Sequence, residues 1–366
     1  MRWGQGLYRK QTEDWSLGVR TVLLANGKNI DSLILDEQTV PIPTRGEVRV
    51  RMKGHTLNHI DLWVLSGSPA YSVTLPHVMG SEGVGVVDFI GEGVSPDFSL
   101  KVGDSVALSP GQGCLVCELC RSGSESLCPS YRVLGGHLPG VFSEYVSLPA
   151  TRLLPVPPSV SPLLASAVTL AGATAHQGLV IRGGAQAGER WLVVGASGGV
   201  GHLACLLGLA LNLEVYGTYG PEKKKTVLAR SMDIPLVSHE SQDWPETVMR
   251  LSGKPFDGVL DTVGGATIPR ILPLLRKGGR AVVVGETTGS PTQFPTRELF
   301  GRQLSLHGVY LAHRSDILAM LNWVSHGDIR PIVNDVGPLT SIAPLQNAYR
   351  RMSERDFVGK LGFAWQ

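Results

Sequence analysis

The chain has 366 residues with a net charge of +2, 43% hydrophobic residues and 17% charged residues. This composition excludes a disordered chain, and the near-neutral charge gives no reason to expect a nucleic acid as a partner. The length exceeds what one hydrophobic core usually organises, so we expect two domains. The polar start predicts no signal peptide, and the longest apolar run, Leu203 to Leu213, is too short for a membrane span. We therefore expect a cytoplasmic protein, with an organelle matrix as the alternative.

The first half of the chain has the pattern of a β-rich domain, after a polar arm that we expect over residues 1–20. Residues 47–52 alternate polar and apolar side chains, as the residues of a half-buried strand do. Two more short strands are predicted over residues 83–87 and 104–108, where glycine and proline separate them. The pattern favours a barrel-like domain from residue 21 to residue 158.

Four of the five cysteines lie close together in the spacing C-x2-C-x2-C-x7-C, as Cys114, Cys117, Cys120 and Cys128. Four thiolates are the ligand set of a closed, tetrahedral structural zinc site, which leaves no position for a substrate. The alternative is that these cysteines are free or paired in disulfides, and disulfides are disfavoured inside cells. We therefore predict a structural Zn²⁺ in a lobe at residues 111–129.

After Pro162 apolar strands alternate with helices. Helices are predicted over residues 163–180 and 203–211, and strands over residues 191–194, 214–218, 259–261, 280–284 and 309–311. This alternation is typical of a doubly wound parallel sheet. Residues 345–366 are predicted to form a helix and a short strand that return to the first domain.

The turn after the first of these strands reads Gly-Ala-Ser-Gly-Gly-Val-Gly over residues 195–201, an A-x-G-x-x-G form of the dinucleotide-binding turn. The second glycine position allows the backbone to approach a diphosphate, and the third allows the helix to pack closely on the strand. A plain tight turn is the alternative, but the buried strand before it and the apolar helix after it are the context that binding requires. The predicted cofactor contacts are Ser197, Gly198, Gly199, Val200 and Gly201.

The end of the second strand, at Thr218, discriminates between the two nicotinamide cofactors. NAD(H) needs an acidic residue there, whereas the 2′-phosphate of NADP(H) needs positive charge. No acid stands at the strand end, and lysines occupy residues 223–225, although a lysine run is also typical of a solvated helix face. We therefore expect NADP(H) in contact with Thr218 and Lys224, with NAD(H) as the alternative if Glu222 serves as the acid.

With these features the chain resembles the medium-chain dehydrogenase/reductase superfamily, in particular its zinc-alcohol-dehydrogenase-like and quinone-oxidoreductase-like members. Beside the cysteines and the glycine turn, the resemblance rests on residues 57–61, 80–85, 101–104, 261–264 and 359–361. It implies an α/β fold with a GroES-like β-barrel domain, residues 21–170 and 311–366, which carries the zinc lobe. It also implies a Rossmann domain, residues 171–310, and a homodimer or homotetramer.

The resemblance also identifies what this chain lacks. A zinc alcohol dehydrogenase holds a second, catalytic zinc with a cysteine, the histidine of a Gly-His-Glu motif, and a later cysteine or aspartate. The matching positions here are Asn58, Ser81 and Leu170, and of the motif's polar side chains only Glu82 remains. Because a catalytic zinc needs about three protein ligands, we expect none of the usual kind. A relocated metal is the alternative, built from Glu82 and from His55, His59, His77 and His137.

The catalytic candidates are Asn58, whose amide N–H can bind a substrate oxygen, Tyr71 and Ser81. Tyr71 lies close to where similar enoyl reductases carry a proton-donating tyrosine, and the Ser81 hydroxyl can bond a substrate. The alternatives are a structural hydrogen bond for Asn58, an exposed loop position for Tyr71, and a serine that only faces the cleft. For the nicotinamide half of the cofactor, the resemblance implies contacts from Thr174, Gly285, Tyr310 and Leu311.

The loss of the metal decides the expected reaction. Without a metal ion to lower the pKa of an alcohol, hydride transfer to a conjugated carbonyl is easier, because the charge spreads onto a distant oxygen. We therefore expect an NADP(H)-dependent reductase of small quinones, enones or enoyl compounds. Two alternatives remain open, namely an alcohol or aldehyde dehydrogenase with a relocated metal and a non-catalytic protein that binds NADPH.

Overall fold

The computed structural model describes residues 18–287, 289, 292–294 and 296–365. The strands, in chain order, are β1 Gly18–Leu24, β2 Leu33–Thr39, β3 Glu47–Thr56, β4 His77–Val78, β5 Gly83–Ile90, β6 Ser105–Leu108, β7 Gly111–Gln112, β8 Arg132–Val133, β9 Tyr145–Pro149, β10 Leu153–Pro155, β11 Arg190–Val194, β12 Glu214–Tyr219, β13 Leu236–Ser238, β14 Phe256–Asp261, β15 Leu275–Val283, β16 Ser305–Gly308, β17 Val333–Asp335 and β18 Lys360–Phe363. The α-helices are α1 His59–Leu65, α2 Glu118–Arg121, α3 Pro162–Ala167, α4 Ala173–His176, α5 Gly199–Ala210, α6 Lys225–Ser231, α7 Trp244–Ser252, α8 Ile268–Ile271, α9 Thr296–Gly301, α10 Arg314–His326 and α11 Ala343–Ser353.

The strands of the first half form two main sheets. β2, β1 and β4 make the smaller one, and the larger has the order β10-β6-β5-β3-β18-β17, with β9 also paired to β3. Val48, Val50 and Met52 of β3 are buried in one core, as the alternating pattern predicted. β18 pairs antiparallel with β3 and parallel with β17, so the final residues return to this domain as predicted.

The second domain is built on a parallel sheet with the order β13-β12-β11-β14-β15-β16, which confirms the predicted doubly wound fold. Successive residues of the central β11 serve opposite faces of the sheet. Trp191 and Val193 pack into the core that contains α5, whereas Leu192 and Val194 pack into the core that contains α7. The carboxyl ends of the strands meet at one edge of the sheet, where ligands bind in such folds.

A long helix, Pro162–Arg182, joins the two domains. It consists of α3, a π-helical stretch Val168–Gly172, α4 and a second π-helical stretch Gln177–Arg182. In length and composition it is the one helix of the described residues that could cross a membrane, but 78% of its apolar window is buried, as in the core helix of a globular protein. The predicted domain boundary between residues 170 and 171 falls inside this helix.

Two sequence-based boundaries are corrected. Residues 1–17 of the predicted arm lie outside the described residues, and Gly18 to Arg20 already belong to β1. The strand predicted over residues 309–311 is wrong, because β16 ends at Gly308. Leu311 has a φ of 55°, a left-handed conformation that does not fit a strand. Val309 N still donates to Val283 O of β15 at 3.0 Å, and the left-handed residue follows two positions later.

Candidate functional site

The four clustered cysteines lie on a lobe built from β7, α2 and β8. Their sulfur atoms all lie within 4.8 Å of one another, and Cys117 Sγ is 3.7 Å from Cys128 Sγ. Four sulfurs bound to one Zn²⁺ at about 2.3 Å lie about 3.8 Å apart, so the cluster has the size of this site. The donor set and its dimensions therefore fit a structural zinc ion.

Backbone N–H groups donate to two of the four sulfurs, whereas burial raises the pKa of Cys120. Cys114 N and Ser130 N each donate to Cys128 Sγ at 3.4 Å, and Cys117 N donates to Cys114 Sγ at 3.4 Å. Hydrogen bonds from Val116 and Cys117 lower the pKa of Cys114 to about 6. Within the described residues this is the one group of three or more histidine, cysteine or acidic side chains that can hold a metal. The predicted four-cysteine zinc site is confirmed.

The glycine turn lies between β11 and α5. Gly195 has a φ of 86°, and a Cβ on Gly201 would lie 2.2 Å from Gly195 O, so neither position accepts a side chain. Gly198 is the N-cap of α5. If this residue had a Cβ, the nearest described atom would be Gly195 O, 3.6 Å away. The first N–H groups of a helix have no acceptor within it, so those of α5 are available to an anion.

Thr218 and Lys224 are both buried beside this turn. Thr218 Oγ1 accepts from Gly195 N at 3.1 Å and lies 3.1 Å from His239 Nδ1, so it fixes the turn. Lys224 Nζ lies 3.5 Å from Ser197 Oγ, and burial lowers the pKa of Lys224. Two of the predicted cofactor residues, Lys224 and Ser197, are therefore brought together by the fold.

Three positive side chains lie near the carboxyl end of β12, and two acids, Asp356 and Glu240, act on one of them, Lys224. Burial lowers the pKa of His239 to about 4, and the charges of Arg355, Lys224 and Arg270 contribute to the same change. Glu222, the alternative acid, accepts from Tyr219 OH at 2.6 Å and pairs with a neighbouring lysine at 3.5 Å. Its carboxylate therefore already has partners.

Glu82 lies fully buried where β3, β18 and the helix Pro162–Arg182 meet. Its Oε1 accepts from Thr56 Oγ1 at 2.5 Å, Asn58 Nδ2 at 2.7 Å and Lys360 Nζ at 2.8 Å. Its Oε2 accepts from two groups of the helix, Thr169 Oγ1 at 2.8 Å and Leu170 N at 2.7 Å. A carboxylate offers about four lone-pair sites, so these donors saturate it.

Lys360 supplies a buried positive charge to this cluster. Beside Glu82, its Nζ donates to Asn58 Oδ1 at 2.6 Å and to Leu57 O at 2.7 Å. Asn58 Nδ2 also lies 3.3 Å from Ser81 Oγ. The Asn58 amide is thus engaged on both its oxygen and its nitrogen, and a substrate oxygen would reach it by displacing the Ser81 hydroxyl. The catalytic roles of Asn58 and Ser81 stay predictions, and the contacts give both residues a structural task.

Thr174 and Gly285, the predicted nicotinamide contacts, occupy tightly packed positions. Thr174 Oγ1 donates to Leu170 O at 2.7 Å, one turn earlier in the same helix. A Cβ on Gly285 would lie 2.8 Å from Thr262 O, so the chain can pass there only as glycine. Their contacts with a cofactor stay predictions.

Tyr71 and Tyr310 come together across the two domains, with their hydroxyl oxygens 3.0 Å apart. The Tyr71 ring packs against those of Trp63 and His137, at centroid distances of 5.9 Å and 5.2 Å. Only 4% of Tyr71 is exposed, against 48% of Tyr310. Burial, and then the bond to Tyr310, raise the pKa of Tyr71, so its hydroxyl keeps its proton. The alternative of an exposed loop tyrosine at residue 71 is therefore wrong.

The histidines of the relocated-metal alternative have separate surroundings. His55 Nε2 accepts from Trp365 Nε1 at 3.0 Å, its Nδ1 lies 3.3 Å from Glu82 O, and burial lowers its pKa to about 3. His77 and His137 each bond a backbone atom, at 3.1 Å and 3.2 Å. Apart from the four cysteines, the described residues offer no group of three such ligands close enough for one metal.

Lys360 and Arg355 were not predicted as site residues, and His59 was a candidate only for the relocated metal. His59 and Arg355 line a cavity of about 580 Å³, which Thr287 also borders. Burial, and then the charges of Lys360 and Arg355, lower the pKa of His59 to about 4. No pattern within a few residues of the sequence predicts that Lys360 bonds Glu82, because the two are 278 positions apart and meet only when β18 pairs with β3.

Comparison with known proteins agrees with this geometry. The family model described as "Alcohol dehydrogenase GroES-like domain" matches residues 44–158, and that described as "Zinc-binding dehydrogenase" matches residues 199–326. An alcohol dehydrogenase of Moraxella sp. (strain TAE123) is 28% identical over 333 residues, which are 90% of this chain and 95% of the relative.

Solved structures show the same similarity over nearly the whole chain. The crystal structure of an NAD-dependent alcohol dehydrogenase is 34% identical, has a TM-score of 0.87, and aligns with 94% of this chain and 99% of its own. The cobalt- and zinc-bound thermostable alcohol dehydrogenase from Pyrobaculum aerophilum is 27% identical, with a TM-score of 0.83 over 95% and 100% of the two chains. The chain therefore belongs to the zinc-type alcohol dehydrogenase family of the medium-chain dehydrogenase/reductase superfamily, and it is an NAD(P)-dependent oxidoreductase.

Proposed function

We propose that this protein is an NADP(H)-dependent reductase of conjugated carbonyl compounds, namely quinones, enones or enoyl compounds, with a structural zinc and no catalytic zinc of the usual kind. The observation that carries this proposal is the saturated Glu82 carboxylate. It accepts from five donors, one of which is the Lys360 ammonium at 2.8 Å. A positive charge from the chain itself therefore stands at this carboxylate.

The neighbouring positions strengthen the argument against a catalytic metal. Where zinc alcohol dehydrogenases have cysteine and histidine ligands, this chain has Asn58, Ser81 and Leu170. An amide nitrogen, a hydroxyl and an aliphatic side chain do not supply the thiolate and imidazole ligands that zinc prefers. Ser81 Oγ and Glu82 Oε1 already bond Asn58 Nδ2, which satisfies these groups without an ion.

Bound NADPH supplies the hydride in the proposed reaction. The chain must then bind the substrate oxygen on which negative charge develops and deliver a proton to it. Tyr71 is the proposed proton donor, because its ring lies in an aromatic pocket with Trp63 and His137 and its hydroxyl is 3.0 Å from that of Tyr310. Burial raises the pKa of Tyr71 and makes it a weak acid, so it donates only to the strongly basic oxygen that forms as the hydride is transferred. Tyr310, half exposed and 3.0 Å away, can return a proton from solvent to Tyr71. Asn58 and Ser81 are the proposed donors to the substrate oxygen.

The surroundings of β12 favour NADP(H). A relative at 34% identity is named an NAD-dependent enzyme, and NAD(H) enzymes of this fold carry an acid at the end of this strand. Here the strand ends in Tyr219, and the nearby Glu222 carboxylate accepts from the Tyr219 hydroxyl at 2.6 Å. Lys224, Arg355 and Arg270 contribute positive charge around His239 instead. These charges suit a 2′-phosphate, and the free N–H groups at the start of α5 suit the diphosphate.

A homodimer is part of the proposal. β16 is an edge strand that pairs with β15, and within the described residues no strand lies on its other side. Its residues are mostly exposed, including Leu306 at 39%. An exposed edge with an apolar side chain is a surface that a second copy can extend.

The experiment measures zinc per chain by elemental analysis and NADPH oxidation with quinones, enones and simple aldehydes. We expect one zinc per chain and turnover of the conjugated acceptors. Tyr71→Phe should lower kcat by about a hundredfold, the usual contribution of a general acid, and Tyr310→Phe should lower it less because water can replace its hydroxyl.

Other outcomes separate the alternatives. Two zinc ions per chain with chelator-sensitive oxidation of simple alcohols would favour the dehydrogenase with a relocated metal. Tight NADPH binding, measured by fluorescence titration, without turnover of any acceptor would favour a non-catalytic protein. Equal activity of Tyr71→Phe and the unmodified protein would remove Tyr71 as proton donor.

A further inference from the structure

The segment Tyr310–Arg314 carries a strained turn next to the proposed substrate pocket. Leu311 has a φ of 55°, a left-handed conformation that is unfavourable for a residue with a side chain. Such a conformation persists only where contacts on both sides determine it. On one side Tyr310 bonds Tyr71 through hydroxyl oxygens 3.0 Å apart, and Leu311 lines a small pocket with Thr169 and Leu170.

The contacts on the other side come from the zinc lobe. Glu125 Oε1 accepts from Arg314 N at 2.6 Å, and His313 Nδ1 accepts from Ser126 N at 3.3 Å. Both Glu125 and His313 are buried. Two consecutive residues of the lobe's 3-10 turn, Glu125 and Ser126, thus contact the start of α10.

A third contact holds the residue between the turn and the helix. Tyr131 OH donates to Ala312 O at 3.1 Å, and its ring packs edge-on against that of Tyr310 at a centroid distance of 6.2 Å. Tyr131 itself is tied to the cysteine cluster, because its backbone N donates to Cys128 O at 2.9 Å. A continuous chain of contacts therefore connects a predicted zinc ligand with Tyr310.

From these contacts we infer that the zinc lobe positions the substrate pocket, and that Glu125 and Tyr131 are the positioning residues. Zinc keeps the lobe folded; the lobe holds residues 312–314; and these residues hold Leu311 in its left-handed conformation with Tyr310 directed at Tyr71. The lobe thereby acts on the reaction without touching the substrate. The kinetic part of this inference rests on the proposed function, whereas the structural part does not.

The test uses the zinc-loaded full chain and hydrogen exchange measured by mass spectrometry. The variants are Glu125→Ala and Tyr131→Phe, and the control is Glu118→Ala, which changes an exposed acid on the same lobe. Zinc per chain is measured in each sample. We expect peptides covering residues 309–316 to exchange about 3- to 10-fold faster in both variants, the effect of losing one hydrogen bond, and unchanged in the control. Zinc should remain at one per chain.

The inference is overturned if, in both variants and with zinc retained, the exchange rate of residues 309–316 stays within twofold of that in the unmodified protein. An increase of the same size throughout the lobe and the parallel sheet would also overturn it, because it would mean a general loss of stability. If Glu125→Ala folds poorly, Tyr131→Phe still tests the inference, because it keeps the aromatic ring and removes only the hydroxyl.

Kinetics provide a second readout that a purely structural role would not change. For the best conjugated acceptor, kcat/KM should fall about 3- to 10-fold in both variants, because Tyr310 supplies protons to Tyr71, while the Kd of NADPH changes less than twofold. If the unmodified protein turns over no acceptor, the proposed function fails, but the exchange experiment still tests the lobe. Faster exchange at residues 309–316 with an unchanged kcat/KM would refute the link to the pocket.

Discussion

The buried pair of Lys360 and Glu82 allows a sharp prediction about stability. Lys360→Met keeps most of the side-chain volume and removes the ammonium, which donates to three acceptors at 2.6–2.8 Å. Since 3% of Lys360 and none of Glu82 is exposed, water cannot replace the lost donor. Breaking a buried ion pair on one side leaves an uncompensated charge, so we expect the free energy of unfolding to fall by about 3–5 kcal/mol.

The assay is urea unfolding of the zinc-loaded protein followed by circular dichroism. Lys223→Met is the matched control, because it removes an exposed lysine that pairs with Asp356 at 2.6 Å, and such surface pairs contribute about 0–1 kcal/mol. The double variant Glu82→Gln with Lys360→Met removes both charges, so it should lose clearly less than the sum of the single variants. Strict additivity, or a Lys360→Met loss as small as that of the control, would refute the reasoning.

Three further predictions concern acidity, cofactor and metal. Burial raises the pKa of Asp61 from 3.8 to about 7, a difference that corresponds to about 4 kcal/mol. A raised carboxyl pKa stabilises the fold at low pH, and this stabilisation is lost as the pH rises from about 4 to about 7. The unmodified protein should therefore lose stability between these pH values, whereas Asp61→Asn should not. Parallel pH profiles of the two proteins in thermal unfolding would contradict this. Lys224→Ala should weaken NADPH binding about tenfold more than NADH binding in fluorescence titrations, unlike the control Lys225→Ala; equal losses would remove the 2′-phosphate contact. Cys117→Ser should abolish zinc binding in elemental analysis and strongly lower thermal stability, because structural zinc contributes about 10–16 kcal/mol in small zinc domains; a stable, zinc-free variant would disprove the role of the lobe.

The features that the sequence could predict are local in the chain. The alternation along β3, the run of apolar residues in β11 and the glycine turn each express a backbone geometry within a few residues. The cysteine spacing predicts the zinc lobe for the same reason, since its four ligands come from one short loop. These local signals suffice for both domains and for the anion-binding turn.

The contacts that define the centre of the cleft are not local. Tyr71 and Tyr310 are 239 positions apart, and no periodicity relates them. Asn58 looks like a free donor in the sequence, but in the fold its amide bonds Glu82 and Lys360. The left-handed conformation of Leu311 cannot be predicted from the sequence either, because a leucine adopts this conformation only when tertiary contacts compensate for the strain.

The position of β18 sets an order of events during synthesis. The parallel sheet uses strands from residues 190–308 alone, so it can form while later residues are still being translated. The larger sheet of the first domain instead needs residues 360–363, which insert between β3 and β17 and carry Lys360 to Glu82. Until those residues leave the ribosome, the His55–Thr56 end of β3 lacks one partner strand, although β9 already pairs with Glu47–Arg51, and the Glu82 carboxylate lacks its counter-charge. The domain encoded first is therefore the one completed last, and during that interval the end of β3 is an open strand edge.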